Sequence, residues 1–259
     1  MTVTKAVFLT LILIWTVFPI LWMFSLAFKR INIFGNFIDL FADSGFGQAV
    51  VNSIKVTGIS LAIGMLLGIP CAYIMAKKHF TIRYKSQALF LILLIRILPP
   101  ITFAIPLYTL MNRLGLMNTN IPILTAHTLL DVPLIIWFLI SFFSGLPVDI
   151  EESARIDGAS EFRIFGNIEL PLVAPGIAAA TMLSLMTSWN EYLYGVIFVQ
   201  SPTKFTIPLV LATMNSEQEL AEWGKIAAGG IISMIPVMMF VVFAQNYLIT
   251  GLSSGAVKE

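Results

Sequence analysis

The residues of this sequence whose side chains are best suited to binding or catalysis are the charged ones of the segment 151–171. This segment reads EESARIDGASEFRIFGNIELP. Glu151, Glu152 and Asp157 are close together in sequence, and Gly158 follows them. A carboxylate can accept charge-assisted hydrogen bonds from an arginine or lysine, and it is costly to leave unpaired once it is buried. The segment is therefore either a solvated link or a surface that binds a partner.

Apolar residues recur along this segment at a spacing typical of a helix. Ile150, Ala154, Phe162 and Phe165 would share one helical face, and Gly158 predicts a bend between two short helices. A simple connection would not need the whole stretch 145–171, and an exposed apolar stripe usually meets a partner. These features favour a docking element over a solvated link.

A second group of polar residues lies within apolar stretches further along the chain. Trp189, Asn190, Glu191 and Tyr194 combine hydrogen-bonding groups with aromatic rings, the chemistry that holds a neutral sugar by its hydroxyls and its apolar face. Polar groups inside a bilayer usually face a cavity or a partner. We expect these four residues to line a solute path. The alternative is that Asn190 and Glu191 bridge helices or lie near the membrane surface.

Other polar residues predict structural roles or none. Arg96 and Asp131 lie in two neighbouring apolar stretches, 87–111 and 121–144, and could form an ion pair between them. We expect a structural bridge there. His79 is expected to be solvated and His127 stands alone in the fourth span, so the sequence predicts no metal site. No nucleophile–base arrangement is apparent.

A nucleotide site is not predicted either. The phosphate-binding pattern G-x-x-x-x-G-K-[ST] is absent, and the pair Gly224-Lys225 is followed by isoleucine. The chain is therefore not expected to be an enzyme or to bind a cofactor. Any energy for work must come from a partner or from an ion gradient.

The composition indicates what must hold these residues in place. The sequence is 58% hydrophobic and only 11% charged, with a mean hydropathy of +0.91. A soluble domain carries about 25% charged residues, so lipid must be part of the solvent of this chain. The net charge of +1 gives no reason to expect nucleic acid.

The apolar stretches predict an all-α, polytopic membrane protein with six transmembrane helices in a single domain over 1–259. Each stretch reaches the length of about 20 residues that a spanning helix needs. The first is too long for the apolar core of a cleaved signal, so we expect it to be retained. The predicted spans are 6–28, 51–76, 87–111, 121–144, 172–199 and 226–249.

Lysine and arginine predict the orientation. The loops that share a side with both termini, 77–86 and 145–171, carry more basic residues than the loops 29–50, 112–120 and 200–225. Basic residues favour the cytoplasmic side. Both termini and the segment 145–171 are therefore expected to be cytoplasmic.

The spacing within the acidic segment resembles a known signature. Glu152-Ser153-Ala154, then Gly158, then Ile168-x-Leu170-Pro171 is similar to the EAA loop of the inner-membrane permeases of ATP-binding-cassette (ABC) importers, with Ser153 in place of an alanine. The longer form EESARIDGAS resembles the carbohydrate branch of that family, which includes the maltose-importer permease MalG. Three further stretches resemble family motifs in order: LGLMNT at 114–119, SWNE at 188–191 and GLSSGAVK at 251–258.

This resemblance implies a MetI-like, type I importer permease fold with a cytoplasmic coupling loop. It implies partners as well: a sister permease, two cytoplasmic ATPase subunits that bind ATP and Mg²⁺, an extracytoplasmic solute-binding protein and membrane lipid, but no nucleic acid. The solute would be a sugar, an oligosaccharide or a polyol. The chain would reside in a prokaryotic inner membrane.

The resemblance also implies roles for individual residues of the loop. Glu152 would bind a basic residue of the ATPase, Gly158 would permit the bend, and Asp157 would cap the second short helix. Ala154 and Ala159 would allow close approach. The residues expected to couple to the ATPase are Glu151, Glu152, Ser153, Ala154, Asp157, Gly158 and Ala159. The alternative function is a secondary transporter of a small polar solute, driven by an ion gradient.

Overall fold

A computed structural model of the chain describes residues 3–29, 32–43, 45–216 and 222–256, and their regular structure is all helical, as predicted. Arg30 and the last residues of the C-terminal motif, Val257 and Lys258, lie outside the described residues. The α-helices are α1 (Val3–Ala27), α2 (Gly35–Asp43), α3 (Phe46–Ala76), α4 (Lys85–Ile97), α5 (Ile101–Arg113), α6 (Asn120–Ser144), α7 (Val148–Ile156), α8 (Glu161–Arg163), α9 (Leu170–Leu172), α10 (Ala174–Trp189), α11 (Leu193–Phe198), α12 (Ile207–Ser216) and α13 (Trp223–Ala256). A π-helix (Ile164–Glu169) joins α8 to α9, and a 3₁₀ turn covers Pro202–Lys204.

Four helices are long and apolar enough to cross a membrane within the described residues. They are Lys5–Ala27, Phe46–Ala76, Asn120–Ser144 and Trp223–Phe243. They match four of the six predicted spans. The other two overlap bent pairs of helices, α4 with α5 at 98° and Glu161–Leu172 with α10 at 75°. The second pair overlaps the predicted span 172–199 only from residue 172, and its first part lies in the segment 145–171. The described residues thus contain up to six spans.

The bend between α4 and α5 has a local cause in two adjacent prolines. Leu98 has an extended backbone, as expected for a residue that precedes proline. Pro99 and Pro100 follow it, and neither can donate a backbone hydrogen bond to continue α4. The predicted continuous helix over 87–111 is therefore two helices.

The end of α10 is a second break, also inside a predicted continuous span. The helix stops at Trp189, and the Glu191 side chain accepts a hydrogen bond from the backbone N–H of Tyr194 at 2.8 Å, at the start of α11. The Tyr194 hydroxyl donates to the backbone carbonyl of Pro100 at 2.7 Å. The two breaks are therefore joined by one part-buried hydrogen bond.

The chain divides into two compact units, Met1–Ser53 with Gln200–Pro236, and Ile54–Val199 with Val237–Glu259. In the first unit, the Asn52 amide donates to the carbonyls of Thr203 and Phe205, at 3.0 and 2.9 Å. The Ser53 hydroxyl accepts from the backbone N–H of Ile207 at 2.8 Å. These bonds hold the turn before α12 against the start of α3.

The second unit is built on α6, which packs against α3 and α10 through glycines. A Cβ on Gly68 of α3 would lie 2.6 Å from Ile135 of α6, and a Cβ on Gly176 of α10 would lie 2.5 Å from Phe142 of α6. Such distances leave no room for a side chain, so the helices approach at their backbones. The pattern Gly64-x-x-x-Gly68 in the sequence is thus a real helix contact.

Candidate functional site

The predicted docking element is present as α7, a bend and the short helices that follow it. Gly158 has a φ of +82°, which a side chain would strain. The N–H of Ala159 donates to the carbonyl of Ala154, and the N–H of Gly158 donates to that of Arg155, each at 3.0 Å. This pair of bonds is a Schellman motif, the usual way in which a left-handed glycine ends a helix.

The cap of the second short helix is not the residue that the resemblance implied. Asp157 is the C-cap residue that follows α7, and its backbone N–H donates to the carbonyl of Ser153. Ser160 precedes α8, and its hydroxyl accepts from the N–H of Arg163 at 3.4 Å. The prediction for Asp157 was wrong because the Schellman turn places serine, an equally good cap, at the start of α8.

The adjacent acids Glu151 and Glu152 face opposite environments. Glu152 is exposed, whereas Glu151 is only 4% exposed. The Glu151 carboxylate lies 3.0 Å from Nζ of Lys77, which follows the last residue of α3. Lys77 also pairs with the buried carboxylate of Glu169, at the end of the π-helix. Glu151 therefore binds its own chain, and Glu152 is the acid available to a partner.

A more exposed cluster lies beside this buried group. Arg155 bonds to Glu151 one turn earlier and to Glu161 at 2.8 Å. His79 lies 3.0 Å from Glu151 and 3.2 Å from Glu161. His79 is exposed, as predicted, but its contacts with the two acids were not foreseen, because they depend on the bend at Gly158 that brings α8 back to this loop.

His79, Glu151 and Glu161 are close enough together to share a metal ion, although their spacing in the sequence gave no sign of it. The Arg155 guanidinium, however, lies within hydrogen-bonding distance of all three side chains. A cation already occupies the position that a metal ion would take. The cluster is better described as an ion-pair network.

Two acids of this region have pKa values that are shifted in opposite directions, one by a neighbouring charge and the other by burial. The hydrogen bond from Arg155 holds the pKa of Glu161 below its usual value. Burial raises the pKa of Glu169, while its bond to Lys77 opposes that change. The hydrogen bond to Glu161 raises the pKa of Arg155, which stays charged. The exposed pair is thus favoured in its charged form, and the buried acid depends on Lys77.

Two large apolar side chains stand out from this element on either side of the bend. Ile156 is 86% exposed and Phe162 is 84% exposed. Ala154, by contrast, is buried and Phe165 is half-buried against Tyr73 of α3. The predicted single face of Ile150, Ala154, Phe162 and Phe165 is therefore split, because the bend turns Phe162 away from the protein.

The other predicted coupling residues differ in their exposure, and their role in coupling stays a prediction. Ser153, Asp157 and Gly158 are exposed, and Ala159 is half-buried. Ile156 was missed by the sequence analysis, although its position next to Asp157 and Gly158 could have drawn attention to it. Lys77 and Glu169 were missed as well. Their signal is weak: two opposite charges, each directly beside an apolar span.

The predicted pair between Arg96 and Asp131 is absent from the described residues. Arg96 is exposed, whereas Asp131 is fully buried and accepts a hydrogen bond from the Ser188 hydroxyl at 2.8 Å. Its other oxygen has no partner in the structure. The prediction failed because α4 ends near Arg96 and turns that side chain outward. The bridge that Asp131 makes is between α6 and α10.

The four residues predicted to line the solute path have different surroundings. Trp189 and Tyr194 are buried, and the Tyr194 ring stacks on Phe198 with centroids 5.7 Å apart. Glu191 lies 3.3 Å from the ring of His127, in addition to its bond at the helix break. Asn190 alone among the four is exposed. The Asn190 amide also bonds within the chain, because it donates to the backbone carbonyl of Met186 at 2.9 Å. None of the four side chains is thus assigned to a solute by its contacts, and the path itself stays a prediction.

Comparison with known proteins places these features in one family. A family profile described as "Binding-protein-dependent transport system inner membrane component" matches residues 64–254. The trehalose transport system permease protein SugB of Mycobacterium tuberculosis is 32% identical over 98% of this chain and 96% of its own length. The melibiose/raffinose/stachyose import permease protein MelC of Bacillus subtilis is 31% identical over 87% of this chain and 81% of its own.

Solved structures agree in fold. A bacterial ABC transporter involved in the import of the acidic polysaccharide alginate has a chain that matches with a TM-score of 0.76 and 21% identity, over 95% of both chains. A second structure, of the alginate transporter with an alginate pentasaccharide-bound periplasmic protein, matches with a TM-score of 0.73 and 19% identity, over 93% of this chain and 92% of that one. At this identity the likeness shows the fold, a type I importer permease fold.

Proposed function

The chain belongs to the family of binding-protein-dependent transport system inner membrane components, and from this we propose that it forms half of the translocation path of an ABC importer for a sugar, an oligosaccharide or a polyol. The class of solute is supported by the relatives, which include permeases named for trehalose, for arabinooligosaccharides and for melibiose, raffinose and stachyose. The chain is a multi-pass membrane protein, and we place both termini in the cytoplasm.

The observation that carries the proposal is the surface around Gly158. An exposed carboxylate, Glu152, and an exposed apolar side chain, Ile156, stand on α7, which ends in a Schellman turn. A second exposed apolar side chain, Phe162, follows the turn in α8. Apolar anchors beside a charged group are typical of the centre of a protein interface. We assign this surface to the cytoplasmic ATPase, with Glu152 bound to a basic residue of that partner.

The remaining partners follow from this division of labour. The ATPase subunits bind ATP and Mg²⁺ and hydrolyse the nucleotide, so this chain performs no catalysis. A sister permease completes the path, and an extracytoplasmic binding protein delivers the solute. Among the four residues of the predicted path, Asn190 is exposed in this chain. Its exposure supports a contact with the solute or with the sister permease.

The proposal is tested by assembling the full importer in proteoliposomes. Glu152→Gln and Phe162→Asp are expected to weaken association with the ATPase by about thirtyfold or more, as for other interface anchors, and to abolish ATP-coupled uptake. Lys78→Gln is a suitable control because Lys78 is exposed and lies on another loop. Normal association and uptake in both variants would refute the docking surface.

The solute is tested in the same assembly with the cognate binding protein. ATP hydrolysis is measured against a panel of sugars, polyols, amino acids and inorganic anions. We expect stimulation by one or more members of the first two groups. A response confined to amino acids or inorganic anions would refute the proposed solute class and leave the docking surface untouched.

A further inference from the structure

We propose that Lys77, Glu151 and Glu169 form a buried ionic joint that transmits movement of the coupling helix α7 to the membrane helices α3 and α10. The inference rests on the proposed function, because it takes α7 to be the element that the ATPase moves. The three residues are positioning residues. They contact neither nucleotide nor solute.

The geometry of the joint is compact. Nζ of Lys77 lies 3.0 Å from a carboxylate oxygen of Glu151 and bonds also to Glu169. All three residues are at least nine-tenths buried, with exposures of 8%, 4% and 2%. Charged side chains are seldom buried to this degree unless they are paired with an opposite charge.

The joint links parts of the chain that are far apart in sequence. Lys77 directly follows α3, Glu151 lies in α7, and Glu169 ends the π-helix that leads through α9 into α10. The backbone carbonyl of Lys77 also accepts a bond from Nζ of Lys85, at the start of α4, at 2.8 Å. One lysine therefore connects the coupling helix to the ends of three membrane-associated segments.

The joint is stiff because of the cost of breaking it. Two buried carboxylates share one ammonium, and separating them would leave a buried charge without a partner. Glu151 has further contacts to Arg155 and His79. Oε1 of Glu169 pairs with Lys77, and Oε2 has no hydrogen-bond partner in the structure. A displacement of α7 is therefore more readily passed to its neighbours than absorbed by the joint.

The adjacent acids Glu151 and Glu152 thus have separate tasks. Glu152 points away from the chain and serves docking, whereas Glu151 points into the chain and serves transmission. Replacing Glu152 should reduce binding of the ATPase. Replacing Glu151, Lys77 or Glu169 should leave binding in place and reduce the uptake that each hydrolysed ATP supports.

The experiment uses the complete importer and the variants Lys77→Met, Glu151→Gln and Glu169→Gln. Lys78→Met is the matched control, because Lys78 is the exposed neighbour of Lys77. Three quantities are measured: co-purification of the ATPase, solute-stimulated ATP hydrolysis, and uptake per ATP hydrolysed. We expect normal co-purification and a fall of about two- to thirtyfold in uptake per ATP in the three variants. The control should match the wild type.

The double variant Lys77→Met/Glu169→Gln separates transmission from folding. Removing both charges relieves the unpaired acid, so the thermal stability lost in Lys77→Met should return in part. Uptake per ATP should stay low, because the link is still missing. Lys77→Arg should retain both stability and coupling.

Two results would overturn the joint. One is normal uptake per ATP in variants that bind the ATPase. The other is restoration of coupling along with stability in the double variant, which would make the ion pairs important for folding alone. Failure of the wild-type chain to bind any ATPase would instead overturn the proposed function, and the role of the joint with it.

Discussion

At the scale of the residue, the coupling loop shows what a sequence can and cannot reveal. The bend at Gly158 was predictable, since glycine between two helical stretches commonly ends the first of them. The inward direction of Glu151 was not, because it depends on Lys77, which lies much earlier in the sequence. Two neighbouring acids of the same type give no local sign of which one is buried.

The left-handed backbone of Gly158 leads to a prediction about this single residue. Gly158→Ala should destabilise the protein by about 1–2 kcal/mol, the cost of a side chain in this conformation, since no atom lies within 4 Å of the added Cβ. Gly158→Asn should recover part of the loss. Thermal unfolding of the purified protein measures both.

The control for this prediction is Gly166→Ala in the π-helix. Its Cβ would also meet nothing within 4 Å, but the residue has no positive φ. The alanine there should be tolerated. Equal losses at 158 and 166 would contradict the account based on backbone strain.

A dependence on pH is expected from Glu161. Its pKa is lowered in the folded protein by Arg155, so the pair stabilises the fold above the ordinary value of 4.5. That stabilisation should be lost as the pH falls through the lowered pKa. The difference in thermal stability between the wild type and Glu161→Gln should therefore be present at neutral pH and vanish under acid conditions. A difference that grows below 4.5 would contradict this sign.

At the scale of the element, four of the six predicted apolar stretches match continuous helices, whereas the other two overlap bent pairs of helices. Hydropathy reports whether a stretch can lie in lipid, and both halves of a broken span satisfy it. The break at Pro99-Pro100 has a visible signal in the paired prolines. The break after Trp189 has none of this kind, and the Glu191 side chain bonds to the first turn of the next helix.

The packing of α3 on α6 gives a prediction for these elements. Gly68→Val should destabilise the protein by about 1–3 kcal/mol, because its Cβ alone would come within 2.6 Å of Ile135. Gly58→Val on the same helix is the matched control, since no atom lies within 4 Å of a Cβ there. Thermal unfolding in detergent should separate the two variants. Similar stability in both would mean that α3 and α6 do not approach closely at Gly68.

At the scale of the whole molecule, membership in the permease family follows from motifs spread along most of the chain. The identity of the solute could not be predicted from the sequence. Two of the predicted path residues, Trp189 and Tyr194, are in fact buried within this chain. A surface completed by other subunits leaves only a partial pattern in any one of them. The sequence therefore indicated the source of energy more clearly than the cargo.

The proposed orientation predicts a labelling pattern for the whole molecule. Cys71 is the single cysteine and is half-buried, so Cys71→Ser gives a background without cysteines. In that background, Asp149→Cys should react with a membrane-impermeant maleimide only after the membrane is opened. Arg113→Cys, at the end of α5 and on the side proposed to be outer, should react in intact cells. The reverse pattern would place the termini outside.

The hydrogen bond from Tyr194 to Pro100 has a consequence for how such chains diverge. A lineage that lost the proline pair would gain a straight third helix and leave a buried hydroxyl without its acceptor. A lineage that lost the tyrosine would remove the hydrogen bond between the two breaks, while the Pro100 carbonyl would still accept from the backbone N–H of Phe103. Loss of the prolines is therefore the costlier change while the tyrosine is present, so chains that keep this tyrosine should also keep the bend. The presence of this tyrosine in the fifth span therefore predicts the bend in the third.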